Sequence, residues 1–157
     1  MRLAFRQSDD DSAIELRTIM AVEKVLRKVR AFTCLVTGNR AEADEIVEDA
    51  LILYLSTDPD PEEAENSYRY LIAAVRRLMR TTGTRARRGM DLEPALMPLL
   101  NLPIERREIA ALHLGAGLGV EDMAALLEIA PGDVLLELAA VRAVIGPETF
   151  DRASLGL

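Results

Sequence analysis

The stretch Leu102 to Arg142, LPIERREIAALHLGAGLGVEDMAALLEIAPGDVLLELAAVR, constrains this chain more than any other, because GAGLG and IAPGD break it into three short helices. Pro103 suits a first helical turn, and Ile104, Ile109 and Leu112 give the first helix an apolar side. The second helix starts near Gly119 and carries Val120, Met123, Ala124 and Leu127, with Ile129 expected to plug the turn that follows. Pro131 opens the third, in which Val134, Leu138, Val141 and Ile145 recur at the spacing of one buried face. The last two helices have the layout of a helix-turn-helix. Their chemistry does not suit base reading. The early exposed turns of the third helix, where a recognition helix presents Arg, Lys, Asn or Gln to base edges, hold Asp133, Leu135, Leu136 and Glu137, and no cation precedes Arg142.

Leu102, Pro103, Arg107, Glu108 and the run Val120 to Ile129 resemble region 4 of the extracytoplasmic-function (ECF) sigma factors, whose usual form is LPxxxREV, a GLS-type turn, EEIAxxLGI and a PxGTVKSRL-type recognition helix. The departure lies at Val134, Leu135, Leu136 and Glu137, where that family is basic. Upstream, LVTGNRAEADEIVEDALILYL (Leu35 to Leu55) is similar to region 2 of the same family, typically LTGDRADAEDLVQETFLRA, and the two blocks stand in the family's order. The resemblance implies two small helical domains: a region 2-like three-helix bundle over 1–80, a linker over 81–90, and a region 4-like helix-turn-helix domain over 91–157.

Composition agrees with an all-α chain. Ala, Leu, Arg and Glu dominate, β-branched alternation is absent, and 157 residues with half of them hydrophobic can form a core. A single Cys leaves no disulfide framework, MRLAFRQSDDDS has no apolar leader core, and no stretch approaches a membrane span. The expectation is a cytoplasmic protein that neither crosses nor binds a membrane.

Charge is distributed in three blocks. There are 8 basic and 15 acidic residues up to Tyr68, 7 and none from Arg69 to Arg88, and 4 and 11 from Gly89 onward, so the net charges are −7, +7 and −7. Phosphate neutralisation supplies much of the affinity of a DNA-binding protein. Only the middle block meets that demand.

In chain order, Ser12 with Glu15 forms a capping box expected to start the first helix, in which Val22, Val25, Leu26, Val29, Phe32 and Val36 form an apolar stripe until Gly38 stops it. Asn39 with Glu42 is a second box, opening a helix with Ala43, Ile46, Val47, Ala50 and Tyr54 on one face and Asp44, Glu45, Glu48 and Asp49 on the other. Those carboxylates read from composition as a solvated face; the resemblance implies the helix that docks on the polymerase clamp. Asp60, Pro61 and Glu63 start a third helix through Tyr68, Leu71, Ile72, Val75, Leu78 and Met79. Its arginines, Arg69, Arg76, Arg77 and Arg80, continue into Arg85, Arg87 and Arg88. In the sigma family this region binds and opens the promoter, yet only Tyr68 and Tyr70 could stack bases here, and a basic helix end followed by a linker explains the same arginines. Asp91 to Leu100 reads as a short bridging helix, and beyond Gly146 and Pro147 the tail either stays irregular or folds back through Phe150 and Leu155.

Nothing in the sequence carries catalysis, a metal or another cofactor. His113 is the sole histidine, Cys34 reads as a small core residue, the pairs Glu105/Glu108 and Glu62/Glu65 lack a pocket context, and GAGLG lacks the Lys-Ser/Thr and the preceding strand of a phosphate loop. No enzyme and no small-molecule substrate are expected. The resemblance implies a regulator of transcription initiation, with an anti-sigma factor or core RNA polymerase as partner. The degenerate recognition helix favours a sigma mimic that engages an anti-sigma factor, similar to the sigma-like domain of bacterial general-stress response regulators. The alternative is a divergent ECF sigma factor that binds core polymerase and, through Arg69 to Arg88, promoter DNA.

Overall fold

The computed structural model describes residues 5–57, 64–82 and 91–155, and every regular element among them is helical. The order is α1 (Phe5–Thr37), α2 (Arg40–Leu55), α3 (Ala64–Thr82), a 3₁₀ segment (Pro94–Asn101), α4 (Ile104–Leu114), α5 (Val120–Leu127), α6 (Pro131–Ile145) and α7 (Pro147–Ser154). The all-α class expected from composition is the class observed.

The long helix α1 is the spine. Val29, Phe32 and Val36 on its C-terminal half are almost wholly buried, and α2, α3 and α4 all pack against it. Leu71, Ile72 and Val75 of α3, Leu112 of α4, Met123 of α5 and Val134 and Val141 of α6 join the same buried cluster. Each large member contributes about 1.5–3 kcal/mol by leaving water. The N-terminal and C-terminal halves therefore share one core. The closest approach is at Gly115, where a Cβ would stand 2.9 Å from the Ala31 carbonyl carbon and the Phe32 nitrogen, so only glycine lets the end of α4 lie on the backbone of α1.

Polar contacts reinforce this union. Gly38 ends α1 at φ +76, and Asn39 caps α2 by accepting a 2.9 Å hydrogen bond from the Glu42 amide. Asp91, from the other half, accepts from the Arg40 amide at 2.9 Å and donates its own amide to the Gly38 carbonyl at 3.0 Å. The Arg107 guanidinium donates to the carbonyls of Val36 (3.0 Å), Leu100 (2.7 Å) and Leu102 (3.0 Å).

Several boundaries differ from the expectations. Helix α1 begins at Phe5, ahead of the Ser12–Glu15 box, because no Gly or Pro interrupts Phe5 to Asp11 and adding turns to an existing helix is easy. Val22 lies 46% exposed, outside the buried stripe of that helix. The Asp60–Glu63 start of the third helix lies outside the described residues, while its end, Thr82, takes two positions from the expected linker. The expected Asp91 helix is 3₁₀ and starts at Pro94, since Pro98 can neither donate to the carbonyl four residues back nor avoid it. Pro103 caps α4 and does not enter it. Ile129 does not plug the α5–α6 turn: Glu128 adopts the left-handed conformation (φ 56), and Ile129 emerges 37% exposed. After Gly146 the chain forms α7, which folds back to bury Phe150 on His113, with ring centroids 5.5 Å apart, while Leu155 stays exposed. His113 is held by Nδ1 at 3.0 Å from the Leu118 carbonyl and Nε2 at 3.3 Å from the Ser154 hydroxyl, as a half-buried structural residue.

Candidate interaction surfaces

Helix α2 buries Ala43, Ile46 and Ala50 against α1 and α3, which turns Asp44, Glu45, Glu48 and Asp49 outward. The four are not equivalent. Asp44 reaches back to α1, where Arg30 donates to it through Nε and, at 2.9 Å, through its terminal nitrogen; that hydrogen bond holds the Asp44 carboxyl below the usual carboxylate range. Glu48 borders a groove of about 420 Å³ between α1 and α2, floored by Leu26, Val47 and Leu51. At the end of α2, Ile52, Leu53 and Leu55 are exposed by 58%, 45% and 60%. This apolar end lies outside the acidic face expected of the helix, and its signal in the sequence is the run ALILYL, apolar on every side of one helical turn.

Helix α3 spreads its arginines unevenly. Arg69 and Arg77 are exposed, while Arg76 and Arg80 turn toward α4. There they meet Glu108, a carboxylate only 2% exposed: Arg76 donates to its Oε2 at 3.2 Å, and Arg80 stands 3.5 Å from the same oxygen. A buried carboxylate is costly unless paired, so these two cations have a structural duty. Arg85, Arg87 and Arg88 lie outside the described residues. Of the aromatics, Tyr70 is 40% exposed beside Tyr54, at 5.4 Å between centroids. Tyr68 is half-buried with Lys28 5.9 Å from its ring centre, and burial pushes its phenol up to about 12. It lines a cavity of about 440 Å³ with Lys24, Lys28, Arg69, Leu118 and Asp122, between α1, α3 and α5.

On α6 the buried set is Val134, Leu138, Val141 and Ile145. The helix is apolar on its outer side as well, where Leu135 is 57%, Leu136 71% and Val144 44% exposed, with Ala139 and Ala143 between them. Asp133 is exposed in the first turn. Glu137 is not presented to solvent as expected. It is half-buried and takes a bidentate contact from Arg106 of α4, which raises the Arg106 pKa still further and consumes a cation the helix-turn-helix could have offered to phosphate.

Among the described residues no group of three or more His, Cys, Asp or Glu could hold a metal ion, and no helix is long and apolar enough to cross a membrane. The chain matches no family model, no curated protein and no solved structure.

Proposed function

We propose that this chain is a sigma-like regulator of bacterial transcription initiation that captures a protein partner, an anti-sigma factor, through the outer face of α6 and the acidic face of α2. One observation carries the reading: where the resembled family presents DNA-reading residues, this chain presents Leu135 and Leu136, 57% and 71% exposed, while the neighbouring cation Arg106 is neutralised by Glu137. Such a surface attracts no phosphate and gains from covering apolar area. Burying both leucines under a partner helix contributes about 1.5–3 kcal/mol each. The carboxylates Glu45, Glu48 and Asp49 steer the encounter with a basic partner.

A second reading is supported by α2. Its exposed carboxylates beside Ile52, Leu53 and Leu55 suit a polymerase clamp as well as an anti-sigma factor, as in a divergent ECF sigma factor. Calorimetry of the purified full chain against a purified anti-sigma factor and against core RNA polymerase separates the two. Tight binding to the anti-sigma factor, lost in the Leu135→Ser/Leu136→Ser variant, supports the mimic. Binding to core polymerase followed by promoter-dependent transcription replaces it with the sigma factor.

A further inference from the structure

Arg69, Arg76 and Arg80 fall within about 40° of one another around α3, so they form one basic stripe along the side of that helix. Two of the three spend their charge on a single carboxylate. Glu108 sits on α4, in the other half of the chain, with Arg76 at 3.2 Å and Arg80 at 3.5 Å from its Oε2. Helices α3 and α4 have little backbone contact, since each packs on α1, and the arginine side chains span the gap between them. The bridge is asymmetric: the side chain of Arg76 is 21% exposed, that of Arg80 59%, and that of Glu108 3%. Arg80 thus stands at the solvent side of the bridge, where an incoming phosphate oxygen can replace the Glu108 carboxylate as its acceptor.

We propose that Glu108 is an internal competitor of nucleic-acid phosphate for the α3 arginine stripe, keeping that stripe a weak polyanion site while α4 is in place. The Arg76–Glu108 pairing is charge-assisted and shielded from solvent, so salt does little to loosen it, while Arg80 meets the same carboxylate from the solvent side. Arg69 and Arg77, exposed on the same helix, remain as the weak residual site. The proposal does not rest on the anti-sigma reading, because it concerns a different helix and a different class of ligand.

The test is fluorescence anisotropy of the full chain with a short labelled oligonucleotide, single-stranded and duplex, over a salt series. Glu108→Gln keeps the shape and removes the charge. Its affinity at low salt rises about tenfold, and the slope of log K against log salt steepens by about one to two, as Arg76 and Arg80 join the contacts. A folded Glu108→Gln variant with unchanged affinity and slope overturns the proposal. Should that variant fail to fold, single substitutions in the otherwise native chain decide, because Arg76 continues to hold Glu108. Arg80→Gln changes the affinity less than about twofold, since Glu108 already occupies Arg80, whereas Arg69→Gln lowers it about fivefold. Equal losses in these two variants, or no measurable binding by any variant, overturn it as well.

Discussion

The Arg107 guanidinium lies between two halves of the chain: it donates to the Val36 carbonyl at the end of α1 at 3.0 Å, 71 residues away, and to Leu100 and Leu102 just before its own helix. The same side chain thereby satisfies carbonyls at the end of one helix and at a turn that no helix could serve. Arg107→Lys keeps the charge but loses the planar fork, and one ammonium cannot serve all three carbonyls. The expected cost is about 2–4 kcal/mol, read as a lower midpoint in urea unfolding.

Gly115 and Gly132 separate a glycine that is required from one that is tolerated. A Cβ at Gly115 meets the α1 backbone at 2.9 Å, whereas nothing lies within 4 Å of one at Gly132 in the first turn of α6. Gly115→Ala should destabilise by about 2–3 kcal/mol through displacement of α4 from α1. Gly132→Ala should stabilise by about 0.4–1 kcal/mol by restricting the unfolded chain. Thermal melts of the two variants move in opposite directions.

The Tyr68 hydroxyl is buried without a hydrogen-bond partner among the described residues. Tyr68→Phe should therefore stabilise the protein at neutral pH by about 0.5–1.5 kcal/mol. Burial also pushes the phenol up from 10.0 to about 12. Between those two values the unfolded chain has lost the proton that the folded one keeps, so stability falls as pH rises from about 10 to 12. The full shift corresponds to about 3 kcal/mol, and partial exposure of the ring reduces the realised loss to about half of that. The Phe variant lacks this alkaline step in unfolding experiments.

Leu135 and Leu136 occupy the same turns of α6 as Leu138, yet the first two are 57% and 71% exposed and the third 7%. Leu135→Ser/Leu136→Ser should change stability by less than about 1 kcal/mol, while Leu138→Ala costs about 2–4 kcal/mol. Capture of an anti-sigma factor should fall at least tenfold in the Ser variant. A large drop in melting temperature for that variant would show instead that the two leucines pack within the chain.

Glu48 and Asp49 are exposed on α2, whereas Asp44 is tied to Arg30. Glu48→Lys/Asp49→Lys should leave the melt within about 0.5 kcal/mol and slow association with the partner about tenfold at low salt, with the difference vanishing as salt rises. Stopped-flow association over a salt series reads both effects.

Local pattern determined the helices themselves. Apolar spacing placed Val134, Leu138, Val141 and Ile145 on the buried side of α6, Asn39 and Gly38 marked a cap and a stop, and the same spacing put Leu135 and Leu136 outside, where the structure has them. Such features depend on residues within a few turns of one another, and a linear sequence records them directly. What lay beyond it was every relationship between distant residues. Arg76 and Arg80 read as a basic helix end, and Glu108 and Arg107 as motif residues of another helix; only packing α3 and α4 on the same spine brings Arg76 and Arg80 to 3.2–3.5 Å from Glu108 and Arg107 to the Val36 carbonyl. Charge in a sequence shows what a side chain can pair with. The tertiary structure decides what it does pair with, because the cost of burying an unpaired carboxylate such as Glu108 forces a partner from wherever the fold can supply one.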